Sequence, residues 1–320
     1  MKTIISIIDN YKVIYENYNN ENGNKLNFIN NNIKKVYVIN LKSNFLRRNY
    51  IKLLMKKYKI NYTLIIVDKI DDKINNLLNI NKSISKSELG CLLSHLWCLT
   101  NIINNKFKNA IIFEDDVIFH KNFLNIFSLI YSENLDLLLL GACDFNFASV
   151  HQFLVKNNKY TIDENSKKVY GSHANYYSLR GAQKMLNLHL NNPTIAFFDK
   201  LYPQLFEYFN KFQSSFICYP NLVLSDISTS NLNHNYSFFS LSEINYYKKC
   251  FVNINFKDYH YFNLSLLEQK YEIKPNETIE SYINRILYSL FYNQEKIDII
   301  KNRLSFNFFS CDDLKYIMNI

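Results

Sequence analysis

What most constrains this chain is the change of period along its first half. Short runs apolar on both faces, "KVYVINL" (35–41), "YTLIIVD" (62–68), "AIIFEDDV" (110–117) and "DLLLLGAC" (136–143), alternate with segments of helical periodicity. A strand with two apolar faces must be covered on both, and the intervening amphipathic segments can supply that cover. The alternation therefore predicts an α/β fold, with a mostly parallel sheet between helical layers. The helices are expected at Arg47–Lys59, from about Lys86 to Asn104, and near Phe123–Tyr131. In the first of these Ile51, Leu54, Met55 and Tyr58 share one face and lysines occupy the other. That pattern fits a solvated helix face better than a nucleic-acid patch, because no aromatic platform is interleaved with the charges.

Beyond Cys143 the pattern is mixed. "HQFLV" and "KVYGSHANYYSL" read as strands, "RGAQKMLNLHL" and "DKLYPQLFEYFNKF" as helices, and "FICYPNLVL" as a last strand. Residues 1–33 end in the polar tract "NNENGNKLNFINNNIKK" and read as an N-terminal extension or flexible joint. Residues 34–240 form the main domain. From 241 to 320 the chain reads as a helical appendage, with Ile283, Ile286, Leu287 and Leu290 at helical spacing.

Composition narrows the class further. With 320 residues and 48% apolar content the chain can fill a substantial core. No apolar run approaches the ~20 residues of a membrane span. The N-terminal "MKTIISIIDNYK" is interrupted by Asp9 and makes a poor signal peptide. The expectation is a soluble protein of the cytosol, of a cell or of an infected host, rather than of a secretory lumen. A net charge of +9 suits an anionic partner. The six cysteines never form CxxC, so buried free thiols are expected over zinc, with Cys91 and Trp97 as packing residues.

The chemistry concentrates in "KNAIIFEDDVIFHKN" (108–122), where a strand-forming run ends in Glu114, Asp115 and Asp116. Three like charges at the end of a buried element repel one another and lose hydration unless something positive offsets them. Residues one apart on an extended strand point the same way, so Glu114 and Asp116 could share one hard cation while Asp115 faces elsewhere. The bland alternative is a solvated loop in which Asp116 caps the next helix. Ligands of parallel α/β sheets bind beyond the carboxyl ends of the strands, and Asn40, Asp68 and the triplet all fall at that edge.

Four segments, "VYVINLKSNFLRR" (36–48), "SELGCLLSH" (87–95), "IIFEDDV" (111–117) and "YYSLRGAQKML" (176–186), occur in the order and at the distances of glycosyltransferase family 25. The chain resembles that family over roughly residues 34–240. The family includes bacterial lipooligosaccharide galactosyltransferases and animal collagen hydroxylysine galactosyltransferases. The resemblance implies a GT-A type, Rossmann-like nucleotide-sugar-binding domain and a UDP-hexose donor with galactose or glucose. It also implies manganese or another divalent cation, and an acceptor hydroxyl on a glycan or hydroxylysine-containing protein; the residues themselves predict no nucleic-acid partner and no membrane span. It places the metal-binding motif at Glu114–Asp116, with Asp226 or His234 as a further ligand. Donor contacts fall on Asn40, Arg47, Asp68, Glu88, Ser94, His95 and Asp115. The base falls on Asp199, with Asp144 in reserve. Glu114 departs from a strict DxD pattern, which leaves open whether it or Asp115 assists Asp116. Ser178, Gly181 and Ala182 match the family segment, and small residues there suit close helix packing. Two rival functions use the same residues: a metal-dependent phosphoryl-transfer enzyme or nuclease, and a non-catalytic UDP-binding relative. The oligomeric state is not legible.

Overall fold

The computed structural model describes residues 8, 11, 13–19, 27–70, 85–144, 159–160, 169–192, 197–218 and 221–225. Strands β2 (Lys35–Leu41), β3 (Tyr62–Val67) and β4 (Asn109–Glu114) follow the three leading apolar runs. Strand β2 pairs in parallel with both β3 and β4, which makes the parallel heart of an eight-stranded sheet. Alternate residues of β2 serve opposite cores: Val36 and Val38 enter one, Tyr37 and Ile39 the other. Two-faced burial is the physical reason these runs lack polar alternation.

The rest of the sheet is mixed. From one edge the order is β1 (Val13–Tyr18), β3, β2, β4, β10 (Ala174–Ser178), β6 (Leu137–Leu139), β11 (Ser215–Cys218) and β8 (Lys159–Tyr160). Strand β10 runs antiparallel between β4 and β6, and β6 and β11 are parallel. Two small antiparallel pairs flank it: β5 (Val117–Phe119) with β12 (Val223–Ser225), and β7 (Cys143–Asp144) with β9 (Val169–Tyr170).

Helices α1 (Phe28–Asn32), α2 (Phe45–Lys57) and α4 (Phe123–Ile130) contribute to one core. Helices α3 (Lys86–Asn104), α5 (Leu179–Asn191), a 3-10 turn (Phe198–Leu201) and α6 (Tyr202–Asn210) contribute to the other. The stripe Ile51, Leu54 and Met55 of α2, continued by Tyr58 at its C-cap, is buried, as its spacing requires.

Boundaries differ from expectation in several places: the expected strand 136–143 divides into β6 and the start of β7 in a separate sheet, the expected helix 199–212 divides into the 3-10 turn and α6, and four further differences have local reasons. Asp115 and Asp116 form a turn, so the run 110–117 is not one strand; its last residue, Val117, opens β5. Gly171, at φ 114, ends β9 in a backbone region that suits glycine, and the expected strand 168–179 becomes β9 and β10. The expected final strand becomes β11 and β12 in separate sheets; Pro220 stands between them and cannot donate to a ladder. Strand β1 lies within the segment read as an extension and pairs antiparallel with β3 along Val13–Tyr18. Its sequence, VIYENY, is mostly exposed at the sheet edge and passes from Val13, Ile14 and Tyr15 into Glu16 and Asn17, so it lacks the long two-faced apolar run of β2 to β4. The expected strand 151–155 and the helical tail 241–320 lie outside the described residues. Among the described residues no helix is long and apolar enough to cross a membrane.

Candidate active site

The carboxyl ends of β2, β3 and β4 meet the first turns of α3 around a cavity of about 400 Å³. Each wall comes from a feature already present in the sequence. Strand β3 ends in Asp68, Lys69 and Ile70; β2 leads through Leu41 and Asn44 to Arg47; α3 supplies Ser87, Gly90, Cys91, Ser94 and His95; β4 ends in Glu114, Asp115 and Asp116. Helix α3 is started by a reciprocal capping box, in which Ser85 Oγ accepts from Glu88 N (3.2 Å) and Glu88 Oε2 accepts from Ser85 N (2.7 Å).

The acidic triplet is divided between two partners. Arg47, only 7% exposed, sets Nη1 3.0 Å from Asp115 Oδ1 and 3.7 Å from Asp116 Oδ2. Asn40, fully buried, donates to Asp115 Oδ2 at 2.6 Å and accepts from Arg48 Nε at 2.8 Å. Glu114 turns the other way, toward α3. Its Oε1 accepts from Ser172 Oγ at 2.5 Å and lies 3.0 Å from His95 Nε2 and 3.8 Å from Cys91 Sγ. The turn at Asp115–Asp116 thus brings those two carboxylates to one arginine and separates Glu114 from them, whereas an extended chain would have paired Glu114 with Asp116.

Burial and charge act differently on the two halves. Burial pushes the Asp115 carboxyl up more strongly than Arg47 and Asn40 bring it down. For Glu114 burial also acts upward, but the hydrogen bond and charge of His95 and the hydroxyl of Ser172 outweigh it, and the group lies below the ordinary carboxylate range. The part of the cavity lined by Arg47, His95 and Glu114–Asp116 therefore holds three carboxylates beside a single arginine among the described residues. Hard oxygen donors with an excess of negative charge fit a divalent cation, with Asp115 and Asp116 as the pair able to hold it together.

The remaining expected residues are placed as follows. Asp68 lines the cavity, exposed, with Lys42 Nζ at 3.5 Å. Ser94 lines it too, donating to Gly90 O at 2.6 Å and lying 3.3 Å from the Tyr11 hydroxyl. Glu88 is occupied in the capping box and is not among the lining residues. Asp199 also lies outside the lining; its Oδ2 accepts from Gly171 N at 2.9 Å, holding the left-handed turn. Burial, followed by the charge of Glu114, pushes the Asp199 carboxyl up. The side chain of Asp144, and both Asp226 and His234, lie outside the described residues. Gly181 is a packing residue, since a Cβ there would meet Asp136 O at 2.1 Å. Sequence reasoning missed Ser172, which nothing in the sequence singles out, and Cys91, whose four-residue spacing from His95 on a helix was the available signal.

A Rossmann-like α/β sheet with a charged cleft beyond the carboxyl ends of its parallel strands defines a ligand-binding α/β enzyme fold. The model of glycosyltransferase family 25 (LPS biosynthesis protein) matches residues 33–240, and the chain belongs to that family; it is a glycosyltransferase. No curated protein matches the chain.

Proposed function

We propose that the protein transfers a hexose, galactose or glucose, from a UDP-sugar to a hydroxyl of a glycan or of a hydroxylysine-type protein side chain. The transferase domain is assigned to residues 34–240, in a GT-A type arrangement extended at its edge by β1. The observation that carries this reading is the pairing of Asp115 and Asp116 on Arg47 at the floor of the cleft. A bound divalent cation, manganese by preference, would neutralise the charge that develops on the departing diphosphate.

The chain's own groups have distinct tasks. Asn40 and Arg47 hold the Asp115–Asp116 pair in place, so the ligand oxygens are positioned before a cation arrives. Asp68, at the end of β3, can accept from sugar hydroxyls of the nucleoside, while Lys69 and Lys86 present positive charge to phosphate oxygens. Asp199 is the candidate base for the acceptor hydroxyl. Its raised pKa makes it a better proton acceptor than an ordinary aspartate, and the Gly171 amide fixes its orientation.

The test is UDP release from a panel of UDP-sugars, with manganese or with chelator. Turnover of one sugar that needs manganese and falls by at least roughly a hundredfold in Asp116→Ala is the expected result. Metal-dependent cleavage of nucleic acid without any sugar preference would favour phosphoryl transfer. Absence of both turnover and manganese-dependent UDP binding would sink the reading.

A further inference from the structure

Glu114 has been drawn away from its acidic neighbours, and the group that it joins has a different chemistry. Cys91 Sγ, His95 Nε2 and a Glu114 oxygen all lie within 4.8 Å of one another. Two of the separations are 3.0 Å (His95 to Glu114) and 3.8 Å (Cys91 to Glu114). Ligand atoms around one tetrahedral zinc stand about 3.3–3.8 Å apart, given bond lengths of about 2.0–2.3 Å. Those two separations are therefore close to ligation spacing already, and the third lies within 4.8 Å. The arrangement follows from the fold: α3 places residues 91 and 95 one turn apart on the same face, and the end of β4 runs beside that face.

We infer that Cys91, His95 and Glu114 form a binding site for a borderline-soft divalent cation of the zinc type, distinct from the hard-cation pair Asp115–Asp116. Thiolate and imidazole favour zinc over manganese or magnesium, whereas Asp115 and Asp116 offer oxygen alone. All three ligands line the cavity, so the fourth position of the ion faces it and remains open to water or to a ligand oxygen.

The setting of His95 agrees. His95 is fully buried and stacked on Phe198, with ring centroids 4.5 Å apart, so the ring is held edge-on to Glu114. Its Nε2 is the ring nitrogen that faces Glu114, and a cation bound there would replace the proton shared with that carboxylate. The Glu114 carboxylate supplies negative charge that a bound cation would neutralise. On binding, the sulfur–metal bond forms as the S–H bond breaks, and the proton leaves to solvent.

The experiment is titration of the metal-free full chain with cobalt(II) alone, as a spectroscopic stand-in for zinc. One equivalent should give a near-ultraviolet sulfur-to-cobalt charge-transfer band that added zinc abolishes. Cys91→Ser should remove the band, His95→Gln should weaken cobalt binding at least tenfold, and Cys98→Ser, on the same helix, should leave the band intact. Circular dichroism of each variant checks that the fold is retained. No band in the wild type, or a band that persists in Cys91→Ser, would overturn the site. Asp116→Ala should keep the band while losing UDP release, so this inference and the transferase reading can fail separately.

Discussion

Single residues near the cleft are held by burial as much as by charge, and this gives a dependence on pH. His189 on α5 is 2% exposed, lies 3.1 Å from Phe198 O through Nε2, and stacks on the Phe198 ring. Burial lowers its pKa from 6.5 to about 4, against the hydrogen bond to the carbonyl. Between those values the unfolded chain binds a proton that the folded chain refuses, so stability falls as pH drops from 6.5 toward 4. The whole contribution is about 3 kcal/mol. His173, also pushed down by burial, acts in the same direction, while Asp115 and Asp199, pushed up, oppose it at the acid end. The urea midpoint should therefore be lower at pH 5 than at pH 7, and His189→Gln should flatten that difference. Parallel pH profiles for the two proteins would remove His189 as the responsible group. The placement of single residues was partly legible in the sequence: the triplet was expected at the carboxyl edge of the sheet and lines the cavity there, and Gly181 was expected to pack. That Glu114 turns toward α3 was not legible, because it depends on a turn stabilised by Arg47, far away in sequence.

At the scale of elements, helix α3 connects folding to the site. Its capping box fixes the first turn, and the next turn carries Gly90, Cys91, Ser94 and His95 into the cavity wall. Ser85→Ala removes the side-chain acceptor for Glu88 N and should cost about 1 kcal/mol in chemical denaturation. Fraying should also appear as faster amide exchange from Lys86 to Gly90, with little change deeper in the helix. Uniform exchange along α3 would mean that packing, not the cap, holds its start. Elements with a strong period were readable: β2, β3, α2, α3 and α5 lie within a few residues of where their patterns put them. The weakly patterned ones were not. Edge strand β1 is mostly exposed and mixes Val13, Ile14 and Tyr15 with Glu16 and Asn17, so it has no two-faced apolar run, and β9 and β10 are divided by the left-handed Gly171.

Across the whole molecule, the end of the sheet remote from the cleft is fastened by one carboxylate. Asp136, just before β6, accepts from Ser178 Oγ and Ser214 Oγ, both at 2.6 Å, and from Arg180 Nε at 3.0 Å. It thereby ties the ends of β10, α5 and β11 together, and its pKa is lowered: burial acts upward, but the bonds from Arg180, Ser178 and Ser214 prevail. Asp136→Ala should destabilise the fold by roughly 3 kcal/mol, since four charge-assisted hydrogen bonds, two of them from Arg180, are lost together. UDP affinity measured on the folded fraction should be unchanged, because none of these residues lines the cleft. A parallel loss of UDP affinity would show that the two ends of the sheet are coupled.

The sequence by itself determined the class of fold, the family, and the edge of the sheet where the charged cavity opens. Each of these depends on local period or on short motifs, which survive without knowledge of distant contacts. Only the tertiary structure decided the strand order beyond β4, the entry of β1, and the division of the acidic triplet between Arg47 and His95. Those outcomes depend on contacts between residues tens of positions apart, where burial makes each carboxylate choose the nearest donor, and no local pattern records that choice.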